Sequence, residues 1–281
     1  MSVTFVIDST TNLPQKPKNC TVVPLTVLFG TEAFLDGVTI DHRRFYEMLI
    51  EGDILPTTSQ PSPETFARVY EQALSRGDEV LVLTVASGLS GTFQSASIAA
   101  MEFPEGKIHV VDSKNVAIGA GILAQMAVNL LEEGYSAAEA ATILEQERDN
   151  IRLVALLDTL EYLKKGGRIS TTVAFAGRLL NIKPVVSVQD GIIHLLGKAR
   201  GSRQGNNLLV QEIEAAGGVD FEKPVLLGYT GLSDDLLQKY VEDSSHLWQG
   251  QVDDLTVCPI GSVIGTHAGP GAVAVAFFRK S

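Results

Sequence analysis

Residues 85–96 read VASGLSGTFQSA, and they crowd Ser87, Gly88, Ser90, Gly91 and Thr92 together where an apolar run, Glu79–Thr84, gives way to alanine-rich sequence. Two chemistries suit such a stretch. A serine on a tight strand-to-helix turn can be a nucleophile, but that turn needs the pattern G-x-S-x-G. In Gly88-Leu89-Ser90-Gly91-Thr92 the last glycine is displaced, and no Cys or Lys stands beside Ser90. The second chemistry fits better. Hydroxyls and free N–H groups at the start of a helix hold a carboxylate or a phosphate.

Two other apolar runs end in the same residue types, at Asp8-Ser9-Thr10 and Asp112-Ser113. Ser, Asp and Gly are ordinary turn and capping residues, so one cluster alone says little. Strands of an open parallel sheet share a carboxyl edge where ligands bind, and three clusters on one edge point to a site. Pro56-Thr57-Thr58-Ser59-Gln60-Pro61 adds hydroxyls on a proline-bracketed loop, which reads equally well as a turn feeding the next helix. The five histidines are too scattered for a metal constellation. His267 stands apart because residues 261–271, GSVIGTHAGPG, surround it with glycine, which lets a backbone or ligand approach closely. A packed loop histidine is the plainer alternative. Lys164, Lys165 and Arg168 flank a double glycine, and Lys198, Arg200 and Arg203 sit in GKARGSRQ. Such runs are usually solvated surface, but Arg168 is also placed to meet a phosphate-bearing partner or product.

The elements that must position these groups alternate along the first half. Strands are expected at Val3–Ile7, Cys20–Phe29, Ala33–Ile40, Glu79–Thr84, Lys107–Val111 and Ile151–Leu157. Helices are expected from Asp41 to Ile50, from Ser62-Pro63 onward, over Thr92–Met101 and Asn115–Leu131, and over Ala137–Asn150 after a Ser136 cap. This alternation predicts a parallel sheet covered on both faces. After Asp158 the texture changes. Pro184–Val188 and Ile192–Leu196, joined by Asp190-Gly191, read as a hairpin. Helix 206–216, strand 224–229, helix 236–248, strand 251–257 and strand 272–278 follow. Two α/β domains are therefore expected, 1–157 and 158–281.

The chain has 281 residues, a net charge of −11 and two cysteines, Cys20 and Cys258. The acidic balance argues against nucleic acid or anionic lipid as a partner. Two distant cysteines without a CxxC read as reduced thiols. The first residues lack a signal-peptide pattern and no apolar run reaches spanning length, so a cytoplasmic protein without stable membrane insertion is expected.

Taken in order, DSTTNL (8–13), TSQPS (58–62), SGLSGT (87–92), VDSKN (111–115), LDTLEYLKKGGRIS (157–170), NIKPVV (181–186), GKARGSR (197–203) and GTHAGPGA (265–272) resemble the DegV family, the FakB-type fatty-acid-binding subunits of bacterial fatty acid kinase. The resemblance implies an α/β, two-domain DegV-like fold: an N-terminal parallel-sheet, Rossmann-like domain and a C-terminal domain with a largely antiparallel or mixed sheet, the ligand between them. It implies a long-chain fatty acid in a buried tunnel, its carboxylate held by Thr58, Ser90, the Gly91 N–H and His267, with Arg168 meeting a FakA-like kinase subunit. That kinase would form an acyl phosphate for phospholipid synthesis. The chain itself would then be non-catalytic, without metal or cofactor, and it carries no Walker A motif or Mg²⁺–ATP constellation. Rival readings are a carrier of another hydrophobic carboxylic acid, an autonomous serine esterase using Ser90 and, more remotely, a small triose ligand as in the dihydroxyacetone-binding part of related kinases.

Overall fold

The computed structural model describes residues 2–169, 182–252 and 254–280. Ser170 and Asn181, at the ends of two quoted motifs, lie outside the described residues, as does Asp253 within the expected strand 251–257. Strands are β1 (Val3–Asp8), β2 (Cys20–Val23), β3 (Thr26–Phe29), β4 (Glu32–Leu35), β5 (Thr57–Ser59), β6 (Glu79–Thr84), β7 (Ile108–Asp112), β8 (Ile151–Leu156), β9 (Ile182–Gln189), β10 (Ile192–Arg200), β11 (Leu226–Tyr229), β12 (Val257–Pro259) and β13 (Val273–Phe278). Helices are α1 (His42–Glu51), α2 (Pro63–Ser75), α3 (Thr92–Ala100), α4 (Ala117–Glu132), α5 (Ala137–Glu147), α6 (Glu161–Lys165), α7 (Gly201–Ala215), α8 (Asp235–Asp243), α9 (Ser245–Trp248) and α10 (Ser262–Ala268).

Two main sheets carry the fold. A four-stranded sheet, order β2-β1-β6-β7, is parallel throughout. A six-stranded sheet, order β10-β9-β8-β13-β11-β12, is antiparallel except for its β11–β12 pair. The central parallel strands β1 and β6 are buried on both faces, as their continuous apolar runs require, while the edge strands β2 and β7 are mostly half-buried. Val6, Val80 and Val82 pack under Phe66 and Tyr70 of α2 and Ala96 and Ala99 of α3. Phe5, Ile7, Leu81 and Leu83 face α4 and α5, which also cover Leu153, Leu226 and Phe278 of the second sheet. Helices α4 and α5 thus lie between the sheets, while α7, α8 and α9 close the far face of the second.

Several expectations shift in detail. Strand 151–156 belongs to the mixed sheet, antiparallel to both β9 and β13, not to the parallel one. An apolar strand buried on both faces looks the same in either setting. The extended run 20–29 breaks at Pro24: β2 joins the parallel sheet, and β3 starts a separate antiparallel sheet of order β4-β3-β5. The expected loop around Thr58 is β5, paired to β3. In place of the expected strand 251–257, β12 lies at Val257–Pro259, where the chain pairs with β11. The expected helix 236–248 divides at Ser244, whose hydroxyl bonds Tyr240 O and accepts from Trp248 Nε1.

Local signals fix the remaining ends. Asp41 caps α1 by accepting from the Arg44 N–H, Ser62 caps α2 ahead of Pro63, and Ser136 with Glu139 forms a capping box on α5. The β9–β10 turn has φ of 50° at Asp190 and 76° at Gly191, the paired positive values that a two-residue hairpin demands.

Candidate functional site

The edge where β1, β6 and β7 end is built so that two of its polar clusters support the third. Asp8 is fully buried and its carboxylate accepts the Thr10 N–H at 2.9 Å, the Thr10 hydroxyl at 2.6 Å and the Val85 N–H at 2.6 Å. Burial pushes the Asp8 pKa up, and the Thr10 and Val85 donors oppose that shift. Asp112, at the end of β7, takes the Ser87 N–H at 3.1 Å, the Ser87 hydroxyl at 2.5 Å and the Lys114 N–H at 2.9 Å. The loop 85–91 is therefore pinned at its start by Asp8 and in its middle by Asp112. Ser90 and Gly91 remain at the head of α3, which has no side-chain cap.

The Ser90 hydroxyl lies 2.9 Å from Thr92 Oγ1 and faces a cavity of about 370 Å³. Thr58, Gln60, Arg168 and His267 line the same end. Thr58 Oγ1 is 2.9 Å from His267 Nε2, so β5 and α10 meet there. Gln60, on the loop after β5, bonds Gly91 O at 3.2 Å and Ser95 Oγ at 3.1 Å, which joins that loop to α3. Arg168 bridges from the other side: its Nε donates to Leu89 O at 3.0 Å and its Nη1 to Gly166 O at 2.6 Å.

His267 is not a loop residue but sits in the last turn of α10. Its Nδ1 is buried without a partner, and Gly166 backs it so closely that a side-chain carbon on Gly166 would lie 2.1 Å from that nitrogen. Burial, and after it the Arg168 charge, holds the His267 pKa down at about 4. The imidazole is therefore neutral near neutral pH.

Most of the remaining lining is apolar, with Thr10, Tyr229 and Thr230 as polar exceptions. Leu153, Ala155 and Leu157 of β8 and its end point into the cavity with the strand's period of two, as do Val186 and Val188 from β9 and Ala272 and Ala274 around β13. Val263 and Ile264 of α10 and Leu163 of α6 complete the walls near the polar end. One end of the cavity thus offers hydroxyl, amide, imidazole and guanidinium groups; the remainder offers mainly hydrocarbon. The arrangement suits an amphipathic ligand with an anionic head.

The structure brings Thr58, Ser90, His267 and Arg168 to one end of one cavity, with Gly91 directly beside it at the head of α3. Asp8 and Asp112, grouped with Ser90 as candidate ligand groups at the strand ends, serve the loop instead. Gln60, Gly166 and the Leu89 carbonyl are contributors that the residue types did not single out. Their neighbours Thr58, Arg168 and Ser90 were visible because they carry hydroxyl or charge; Gly166 matters only through what it lets approach. Among the described residues, no group of three or more His, Cys, Asp or Glu is arranged to hold a metal ion, and no helix is long and apolar enough to cross a membrane.

Comparison with known proteins agrees with this picture. A family model described as an uncharacterised protein of the DegV family matches residues 2–280. A DegV domain-containing protein from Deinococcus radiodurans is 36% identical over 283 residues, covering 98% of both chains. A fatty-acid-binding DegV family protein from Thermus thermophilus is 37% identical, with a TM-score of 0.87 over 99% of this chain and 100% of that one. A stearic-acid-binding protein from Eubacterium ventriosum is 28% identical, with a TM-score of 0.85 over 100% of this chain and 99% of that one. The chain belongs to the DegV family.

Proposed function

We propose that this protein binds a long-chain fatty acid in the cavity and presents its carboxyl group to a separate ATP-dependent kinase subunit, which converts it to an acyl phosphate. The observation that carries the reading is a cavity with Thr58, Ser90, Arg168 and His267 gathered at one end and a mainly hydrocarbon lining elsewhere. Its relatives from Thermus thermophilus and Eubacterium ventriosum bind fatty acids, which supports the same ligand class here.

In this reading the Ser90 hydroxyl and the Gly91 N–H donate to the carboxylate at the head of α3, and Thr58 completes the set. A neutral His267 carries one ring proton. Placed on Nε2, that proton bonds Thr58 Oγ1, leaves only a lone pair unsatisfied at Nδ1, and turns the Thr58 hydroxyl proton toward the ligand. Charge-assisted hydrogen bonds of this kind offset the cost of burying a carboxylate. The acyl chain contributes about 0.8 kcal/mol per buried CH₂. Arg168 lies at the carboxylate end with two guanidinium nitrogens engaged by backbone carbonyls, and it is the residue proposed to meet the kinase. The protein itself is proposed to be non-catalytic. An esterase would need Ser90 paired with a base, whereas its hydroxyl pairs with Thr92 and His267 pairs with Thr58.

The test is native mass spectrometry of the purified protein, followed by extraction and identification of the released molecule. A fatty acid at near-stoichiometric occupancy, lost in the Thr58→Val/Ser90→Ala variant, is the expected result. A protein that stays empty when offered a fatty-acid mixture overturns the reading, and transfer of phosphate to bound oleate on adding a cognate kinase subunit tests the second half.

A further inference from the structure

Helix α10 carries His267 in its last turn, yet its start has no cap of its own. The capping position is Gly261, which has no side chain to offer the first N–H groups. The missing acceptor comes from a distant segment. Asp36, 226 residues away and just after β4, accepts both the Ser262 N–H at 3.1 Å and the Ser262 hydroxyl at 2.7 Å on its Oδ1. Both residues are buried, Asp36 at 4% exposure and Ser262 at 1%. A carboxylate hidden from water needs such donors, and a helix start favours negative charge. Gly261 lets the carboxylate come close, since a side-chain carbon there would lie 3.4 Å from Asp36 Oδ1.

The small sheet that holds Asp36 also supplies Thr58. Strand β3 pairs with β4 on one side and β5 on the other, with Leu35 and Ser59 both opposite Thr26 and with Thr58 opposite Val27. The Asp36 N–H extends the β3–β4 side by bonding Leu25 O at 3.0 Å. The sheet therefore reaches α10 at both ends, through Asp36 at Ser262 and through Thr58 at His267. Five residues of helix span about 7.5 Å and two strand spacings about 10 Å, so a short helix suffices to bridge the outer strands. Between these ends Val263 joins Leu25, Val27 and Phe45 in one buried cluster. Gly265 lies against Tyr46, where a side-chain carbon would fall 2.5 Å from the tyrosine hydroxyl. A helix tied only at Thr58 is free to pivot there; tied at both ends it is not.

We propose that Asp36 is a positioning residue for the carboxylate site: through Ser262 it fixes the placement of α10, and so sets the contact between His267 and Thr58. Its effect on binding rests on the fatty-acid reading above, whereas its effect on His267 needs no ligand. The helix is only seven residues long, so loosening its first turn displaces its last. Without Asp36 the Ser262 N–H and hydroxyl lose their acceptor in the interior and must find water, which draws the helix start away from β4. His267, at the other end, then leaves Thr58 and gains water in turn.

The experiment compares wild type, Asp36→Asn and Asp36→Ala by two readouts. One is the titration of the His267 imidazole in lipid-free protein, followed by NMR and assigned by its loss in His267→Gln. The other is affinity for a fluorescent fatty acid. In wild type, burial and the Arg168 charge hold the His267 midpoint at about 4. Asp36→Ala is expected to raise it by about one unit or more toward the ordinary value of about 6.5, and to weaken fatty-acid binding about tenfold. Asp36→Asn keeps an acceptor oxygen for Ser262 and is expected to stay near wild type in both. An alanine variant that loses thermal stability but keeps the wild-type midpoint and affinity marks a merely structural cap and overturns the proposal. So does an asparagine variant that fails as fully as alanine. If Asp36→Ala does not fold, Ser262→Ala, which removes only the hydroxyl bond, is read in its place, and an unchanged midpoint and affinity there overturn the proposal equally. If wild type takes up no fatty acid, the fatty-acid reading falls, while the His267 titration still decides the role of Asp36.

Discussion

The loops after β1 and β6 start from neighbouring parallel strands and are both rich in hydroxyls, yet their polar groups are used differently. In the first, Asp8 and Thr10 spend their polar atoms on each other and on the Val85 N–H. In the second, Ser90 keeps a hydroxyl toward the cavity, with only Thr92 beside it. The difference lies in where the backbone donors point. Asp8 is fully buried and must satisfy three donors within the protein, whereas Ser90 stands at an uncapped helix start that opens on a cavity. One loop is a support and the other the proposed holder, and substitutions should separate stability from binding along that line.

The largest stability effect is expected at the support. Asp8→Ala strands two backbone N–H groups and a hydroxyl in the interior and should cost about 3–5 kcal/mol, read from chemical denaturation. A loss below about 1 kcal/mol would show that the loop 85–91 does not depend on Asp8.

Next comes His267. Its pKa in the folded protein is about 4, below the ordinary unfolded value near 6.5, so the unfolded chain binds the extra proton between those values. Stability from this group is fully present above about pH 6.5 and is lost as pH falls toward 4, by about 3 kcal/mol in all. The difference in unfolding free energy between wild type and His267→Gln, followed across that window in lipid-free protein, should carry this slope. A difference independent of pH would mean that His267 is protonated alike in both states.

Ser90→Ala should reverse the pattern of Asp8→Ala. Losing one hydrogen bond to a carboxylate weakens fatty-acid binding by about 1.5–3 kcal/mol, measured by competition with a fluorescent fatty acid. Lipid-free stability should change by about 1 kcal/mol or less, while the lipid-loaded protein loses thermal stability in step with its affinity. Equal losses in the two forms would erase the distinction between holder and support. The smallest effect is expected from Ser87→Ala, which removes one exposed bond to Asp112 and should cost about 1 kcal/mol without altering the carboxylate donors.

The sequence was legible wherever a residue's role is set by its own chemistry or by its near neighbours. Asp41, Ser62 with Pro63, and Ser136 announced helix starts that the structure contains, because a cap acts within three residues. Asp190-Gly191 announced a hairpin turn because few residues accept positive φ. The site was half legible. Thr58, Ser90 and His267 stood out as hydroxyls and an imidazole in glycine- and proline-marked settings, but nothing local placed Thr58 in a strand. Strand β5 exists only because β3 lies beside it. Strand β8 was placed in the wrong sheet for a similar reason: its apolar run records burial on two faces and not which strands flank it.

The sequence by itself determined the α/β character, the alternation of strands and helices over the first half, the hairpin near 190, and the polar groups available to hold an anion. These depend on periodicity, capping and turn chemistry, all short-range properties of the chain. The tertiary structure decided which polar clusters face inward as supports and which face the cavity, since that turns on donors such as the Val85 N–H that only folding brings to Asp8. It also decided that Thr58 and His267, 209 residues apart, lie within one hydrogen bond.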